Sequence, residues 1–509
     1  MTATGQLLDD PLLEQMERLP VHPASLVVFG ATGDLAQRKL LPAVYNLAHD
    51  WALPEPFNLL GVAVGQMSTE RFRFLMTESI RRHSRRVPDE QVLSRLLERV
   101  AYVSGDFREP RTYDAVGTRL QFWDEEAGEP LNRVFYLATA PMFFSVVTRA
   151  LGEQDLNMRP GAEVRLVVEK PFGSSLEQAR QLNREIMSVF SEHQVFRIDH
   201  YLGKETVQNI LSLRFANQIF EPLWNRSYVD SIQITAAEDV GVGGRAGYYD
   251  STGALRDLVQ NHMLQLLSLV AMEPPLSIRA DDVRNEKVKV LRAIEPPAAD
   301  AVDQIAVRGQ YAAGVVGGRE VPGYLDEPGV APDSTTETYV ALRLAVDNWR
   351  WKGVRFYLRA GKRLPRKLTE IAITLRPVPH LALEQIGSVG AQPNQLVLEI
   401  DPDEGISLSL TAKIPGARLA LRPVQMEFLY GTSFVSQSPD AYERLLLDAL
   451  RGTATLFTRG DEVEAQWRLC DPILQGWHER GPLPKYPAGS QGPAQADSLL
   501  LEGHHWRRI

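Results

Sequence analysis

Residues 25–36 read Ser25-Leu26-Val27-Val28-Phe29-Gly30-Ala31-Thr32-Gly33-Asp34-Leu35-Ala36, and the expected architecture of the chain follows from them. Ser25–Phe29 is a short apolar run rich in branched residues, as in a strand buried on both faces. A helical pattern follows the turn and continues to about His49. Between the two, Gly30-x-x-Gly33-x-x-Ala36 places small residues at every third step. A turn that cradles a pyrophosphate needs a glycine where the chain bends tightly. It needs a second where backbone must approach the phosphates, and a small residue where helix meets strand. Gly30, Gly33 and Ala36 suit those positions, and the N–H groups at a helix start attract anions. The spacing departs by one residue from the usual G-x-G-x-x-G, and alone the motif reads equally as a plain structural turn.

Working outward, Leu59–Val64 (LLGVAV), Asn132–Ala138 (NRVFYLA) and Glu163–Val168 (EVRLVV) are further buried-strand patterns. Helical stretches separate them, among them an arginine-rich one over 68–98. Such alternation predicts a parallel sheet covered on both faces. After about residue 200 the texture changes. Helical runs are expected at 203–216 and 252–271, with a strand at Ser231–Ala236. From about 337 to 435 alternating segments recur: Thr338–Val346, Glu370–Leu375, Gln395–Ile400 and Ile406–Ala412. They predict a large, mostly antiparallel sheet. Residues 440–450 and 461–480 read as helices, and the last thirty, rich in Gly, Pro, Ser and Gln, as a surface wrap. The expected fold is an α/β dinucleotide-binding domain of Rossmann type at 1–200, with residues 1–24 as a lead-in. A larger α+β domain follows at 201–509.

Bulk properties exclude several classes. The 509 residues are 44% hydrophobic and 23% charged, which suits a globular protein with sizeable cores. A net charge of -9 argues against a general nucleic-acid binder, which needs a basic face. No run of about 18 apolar residues suggests a membrane span. The acidic beginning lacks the pattern of a secretory signal. The single cysteine, Cys470, cannot form an internal disulfide, and no ligand cluster has metal spacing. A cytoplasmic enzyme without a metal is the expectation.

Four polar segments stand out. Glu169-Lys170-Pro171-Phe172-Gly173 follows an apolar strand, and sites in parallel sheets lie beyond strand C-terminal ends. An ordinary turn with a surface lysine has the same pattern, whereas a cis bond before Pro171 would mark a special one. Arg197-Ile198-Asp199-His200-Tyr201-Leu202-Gly203-Lys204-Glu205 brings Asp199 and His200 to another strand end and Lys204 to a helix start. His200, Tyr201 and Lys204 offer several donors to a phosphate, and charge-assisted bonds are the strong ones. In Asp257-Leu258-Val259-Gln260-Asn261-His262, counting by threes and fours puts His262 on or beside an apolar stripe. There it is either a satisfied core residue or, with a carboxylate partner, a general base. Finally, Arg359-Ala360-Gly361-Lys362-Arg363-Leu364-Pro365-Arg366-Lys367 is a basic loop, solvated or completing an anion site.

Taken together, GATGDLA, EKPFG, RIDHYLGKE, RDLVQNH and RAGKRL resemble the glucose-6-phosphate dehydrogenase family, in its order and over about residues 25–480. AYERLLLD at 441–448 and the CDPIL segment near 470 fit the same resemblance. The resemblance implies oxidation of glucose 6-phosphate at C1, with His262 as the base and Asp199 paired with it. It implies phosphate binding by His200, Tyr201 and Lys204. Lys170 would touch both sugar and nicotinamide, and Glu238 and Asp257 would bond sugar hydroxyls. Lys362 would contact the substrate, with Lys367 a weaker candidate. Gly30, Thr32, Gly33, Asp34, Leu35 and Lys170 would bind the dinucleotide. Homodimers or homotetramers through the large sheet are also implied.

One position departs from the family pattern. Members that favour NADP carry an arginine where this chain has Val64. An arginine accommodates the 2′-phosphate of NADP and an acid bonds the ribose of NAD, and the strand end Val64-Gly65-Gln66-Met67 supplies neither. Arg71 and Arg73 read either as solvated helix positions, the preferred reading, or as cations reaching into the cofactor site. The expectation is dual use of NAD and NADP or a shift towards NAD. Rival readings are another sugar or aldose oxidoreductase, and a catalytically silent cofactor-binding regulator.

Overall fold

The computed structural model describes residues 21–378, 392–416, 421–433, 439–478 and 483–509. Residues 1–20 of the expected lead-in, and 479–480 of the expected last helix, lie outside them. The chain forms two compact units, neither continuous in sequence. The first draws on Met1–Gly173, Arg180–Gly203 and Pro439–Gly460, and the second on Ser174–Ala179, Lys204–Ser438 and Asp461–Ile509.

The first unit is built on six strands: β1 Ala24–Phe29, β2 Phe57–Ala63, β3 Val100–Ser104, β4 Asn132–Leu137, β5 Val164–Val168 and β6 Val195–Arg197. All pairings are parallel, in the order β3-β2-β1-β4-β5-β6. The order reverses between β1 and β4, which is the doubly wound arrangement with a ligand crevice at the carboxyl ends of those strands. Every residue of β1, β2, β4 and β5 is buried, as two-sided helix cover requires.

One core cluster joins β1 and β2 to Leu40, Leu41 and Tyr45 of the following helical segment, and also to Tyr442, Leu445 and Ala449. The last three lie on the helix Ala441–Arg451, which is distant in sequence yet completes the core of the first unit. The arginine-rich stretch over 68–98 is not one helix but two, Thr69–His83 and Glu90–Glu98. Pro88 cannot continue a helix interior, and Asp89 caps the second by accepting from the N–H groups of Gln91 and Val92.

The second unit contains eleven strands among its described residues. In chain order they are β7 Val229–Ala237, β8 Ala306–Ala312, β9 Gly314–Val316, β10 Arg319–Val321, β11 Tyr339–Leu344, β12 Arg355–Gly361, β13 Leu368–Leu375, β14 Gln395–Asp401, β15 Gly405–Lys413, β16 Leu421–Leu429 and β17 Lys485–Pro487. β9 and β10 form a short hairpin of their own, and the other nine make one sheet in the order β16-β15-β14-β13-β7-β12-β11-β8-β17. Only β7–β12 and β8–β17 are parallel, so the sheet is mostly antiparallel, as expected. The final residues do more than wrap the surface. They supply β17, and they cross the middle of the sheet. Arg507 bonds Gln233, Glu370 and Gln395, and its carbonyl accepts from Arg359.

The run expected as one helix over 252–271 differs most. A helix over Ala246–Ala254 is interrupted at Gly253 (φ 73°, ψ 168°). This is backbone that only glycine adopts readily. A wide helix bonded i→i+5 follows over Leu255–Met263, and an ordinary one over Leu264–Ala271. Glu337 sets the junction: its carboxylate accepts from Leu255 N–H at 3.1 Å and its carbonyl from Ala254 N–H at 3.0 Å. A Cβ on Gly253 would collide with that carboxylate.

Candidate active site

In the first unit the Gly30 turn leaves β1 with φ 85°, and its N–H bonds the Val62 carbonyl of β2 at 2.8 Å. A Cβ at Gly30 would lie 2.5 Å from the Ala138 carbonyl oxygen at the end of β4, and one at Gly33 would lie 3.2 Å from the Gly30 oxygen. The backbone is therefore bare of side chains where it passes the switch point. The first helical bond runs from Gln37 N–H to Gly33 C=O at 3.0 Å, so the amides before it have no acceptor in that helix. Ala36 is fully buried, as the helix-packing position requires. These features fit the pyrophosphate of a dinucleotide. The Thr32 carbonyl accepts from the Gln37 side chain at 2.7 Å, and the Asp34 carboxylate is solvent-exposed beside Arg38.

Val64 lies just beyond β2 and is 59% exposed. Arg73 is not a free surface cation: it bonds the carbonyls of Val100 and Glu98. Arg71 lies over the Phe74 ring. Arg73 is thus engaged away from the end of β2, since Val100 pairs with Leu59.

The Lys170–Pro171 peptide is cis. Glu169, just before it, is buried and accepts from the Tyr136 hydroxyl at 2.6 Å. Burial pushes its carboxyl up to about 7, against the opposing effects of Tyr136, Lys170 and Tyr442. Asp199 is buried, and one of its oxygens accepts from Tyr201 N–H at 3.1 Å. The His200 ring stacks on Tyr442 at 6.2 Å with 13° between planes. The 3-10 turn His200–Gly203 sits so close to the helix Ala441–Arg451 that a Cβ at Gly203 would lie 2.7 Å from the Ala441 oxygen. Periodicity gives no sign that Tyr136 and Tyr442 belong to this neighbourhood, because their contacts join separate strands and a distant helix.

The second unit holds the remaining candidates. Lys204 stands just before the helix Glu205–Phe215, and its ammonium is 3.1 Å from Asp401 at the end of β14. Lys367 reaches the same carboxylate at 2.8 Å. Burial disfavours the Asp401 charge, but Lys367 and Lys204 outweigh it and hold the carboxyl below its ordinary range. No sequence pattern marks Asp401, yet it gathers two cations that were candidates. Lys362, just after β12, is buried and bonded to Glu238, just after β7. The parallel pairing of those strands sets the two ends side by side. His262 is 1% exposed, and its backbone N–H donates to the Asn261 side-chain oxygen at 2.7 Å. In a helix bonded i→i+5, residues five apart are a little more than one turn apart, so Asp257 and His262 lie towards the same side.

The sequence matches the profile described as "Glucose-6-phosphate dehydrogenase, NAD binding domain" over residues 27–209, and the corresponding C-terminal domain over 211–507. It is 47% identical to the glucose-6-phosphate 1-dehydrogenase 2 of Mycobacterium bovis over 504 residues, covering 98% of each chain. It is 46% identical to the glucose-6-phosphate 1-dehydrogenase of Treponema pallidum, covering 94% of each. Among solved structures, a glucose-6-phosphate dehydrogenase in complex with its substrate glucose-6-phosphate superposes with a TM-score of 0.87 at 35% identity, covering 96% of this chain and 99% of that one. The enzyme from Mycobacterium avium gives 0.82 at 38% identity, with the same coverage. A doubly wound unit with a bare glycine turn, a mostly antiparallel second unit and full-length similarity agree: the chain belongs to the glucose-6-phosphate dehydrogenase family.

Proposed function

We propose that this chain oxidises glucose 6-phosphate at C1 to the 6-phosphogluconolactone, the first step of the oxidative pentose phosphate route. The observation that carries this reading is the full-length similarity to a glucose-6-phosphate dehydrogenase solved with that sugar phosphate. Functionally, residues 1–200 serve the dinucleotide, and 201–509 serve the sugar and self-association.

His262 takes the proton of the C1 hydroxyl as hydride leaves the carbon. Asp199 steadies the imidazole and stabilises its charged form. His200, Tyr201 and Lys204 hold the phosphate, and Lys367 adds a second cation. The shared Asp401 carboxylate supports this, since two ammonium groups around one acid leave net positive charge for an anion. Glu238 and Asp257 bond sugar hydroxyls, and Lys170 and Lys362 contact the substrate. Because the phosphate is remote from C1, its binding energy positions the reacting carbon. The nicotinamide dinucleotide, when bound, accepts the hydride. Gly30, Thr32, Gly33, Asp34, Leu35 and Lys170 contribute to holding it.

No arginine stands at the cofactor-selecting position, which is Val64, and Arg73 is committed to carbonyls. NADP therefore lacks its usual bidentate partner, and NAD is used as well as NADP or better. A steady-state assay of glucose 6-phosphate with each cofactor tests both claims. Absence of turnover removes the activity, and a thousandfold preference for NADP removes the dual use.

Self-association as a homodimer or homotetramer through the large sheet is part of the same reading. Its support is the edge strand β16, where Met426, Phe428 and Leu429 are exposed. Light scattering of the purified chain should give a multiple of the chain mass, and a monomer at micromolar concentration would refute it. A cytoplasmic setting accompanies the reading, since phosphorylated sugar and dinucleotide are available together there. No helix among the described residues is long and apolar enough to cross a membrane.

A further inference from the structure

Tyr249 carries a buried hydroxyl that no hydrogen bond among the described residues uses. The residue is 3% exposed, and among the described residues its oxygen has no hydrogen-bond partner. An unpaired buried hydroxyl gives up its hydration with no bond in return. Three tyrosines of the same core cluster differ: Tyr324 donates to Asp250 at 2.7 Å, Tyr311 to Glu327 at 3.0 Å, and Tyr486 to the Lys362 carbonyl at 2.7 Å, whereas Tyr339, like Tyr249, has no partner among the described residues.

The surroundings indicate what is missing. The ring of Tyr249 meets Tyr324 edge-on, with centroids 6.3 Å apart, and the Lys362 ammonium lies 4.9 Å from its centroid. Lys362 in turn bonds Glu238. Burial, and then the negative charges of Asp257, Glu337 and Glu238, hold the phenol protonated well above its ordinary range. Tyr249 thus carries a neutral hydroxyl within the field of three carboxylates, and its ring lies against an ammonium. A ligand rich in hydroxyl groups is the chemistry that such a mixed set recognises.

We infer that Tyr249 is a specificity-determining residue for the sugar: its hydroxyl donates to a ring hydroxyl, while its ring steadies Lys362 by cation–π attraction. This rests on the glucose 6-phosphate reading above, whose sugar-side residues are Glu238, Asp257 and Lys362.

The test is Tyr249→Phe, which keeps the ring and removes only the unpaired oxygen. Without ligand, the Tm should equal or exceed that of the wild type, because no internal bond is lost. The Tm rise produced by glucose 6-phosphate without cofactor should shrink. The kcat/KM for glucose 6-phosphate should fall about tenfold, chiefly through KM. Against the 2-, 3- and 4-deoxy sugar phosphates, one analogue should lose less than twofold, which identifies the partner hydroxyl. An equal loss with all four sugars, or no loss, overturns the inference. A wild type that is neither stabilised by glucose 6-phosphate nor able to oxidise it overturns the functional reading as well. An active wild type with an indistinguishable variant overturns this inference alone.

Discussion

Replacing His262 with asparagine lowers kcat for glucose 6-phosphate by about 10²–10⁴-fold, the usual contribution of a general base. Sugar affinity should stay within severalfold. The asymmetry follows from the site. His262 is 1% exposed on the wide helix Leu255–Met263, so its replacement by a smaller polar residue alters little of the binding surface. Asparagine keeps a hydrogen-bonding side chain but cannot carry a proton between states. Calorimetric titration of the cofactor-free variant with glucose 6-phosphate separates binding from turnover. A variant that retains kcat within tenfold removes His262 from the role of base. A variant that loses sugar binding in proportion to kcat assigns it to binding instead.

Replacing Lys204 with alanine has the opposite signature. The KM for glucose 6-phosphate should rise about 10- to 100-fold, because hydrogen bonds to charged groups contribute about 1.5–3 kcal/mol. Turnover of unphosphorylated glucose should be unchanged. Lys204 and Lys367 lie 3.1 Å and 2.8 Å from Asp401. Removing one cation therefore leaves the acid paired with the other, and the local charge falls from net positive to neutral. The substrate phosphate then loses both a donor and the favourable field. Steady-state kinetics with the two sugars decide the matter: a loss confined to kcat, or one equal for glucose and its phosphate, refutes a phosphate-specific role.

Much of this arrangement is legible in the linear chain. The apolar run at Ser25–Phe29 and the glycines at 30 and 33 carry local requirements of strand burial and turn geometry, and these are met by neighbours in sequence. The position of Lys204 at a helix start and the alternation of the β13–β15 segments are local in the same sense. The short β3, Val100–Ser104, is not legible, because five residues leave too little pattern beside a helix. A continuous helix over 252–271 is the wrong reading because the apolar spacing there fits either winding. The choice between them rests on Gly253 and on Glu337, which lies 82 residues from the N–H it accepts.

The chain by itself determined the alternation of strand and helix before about residue 200 and of strands after it, the bare turn at Gly30, and the residue types able to hold an anion or move a proton. Tertiary structure alone decided that Asp401 joins Lys204 to Lys367, that Tyr442 comes to lie against His200, and that the Tyr249 hydroxyl is buried without a hydrogen-bond partner among the described residues. The reason is one of range. Backbone geometry and apolar periodicity act over a few residues, so they can be read along the chain, whereas a polar contact between distant segments exists only once strand register has brought them together.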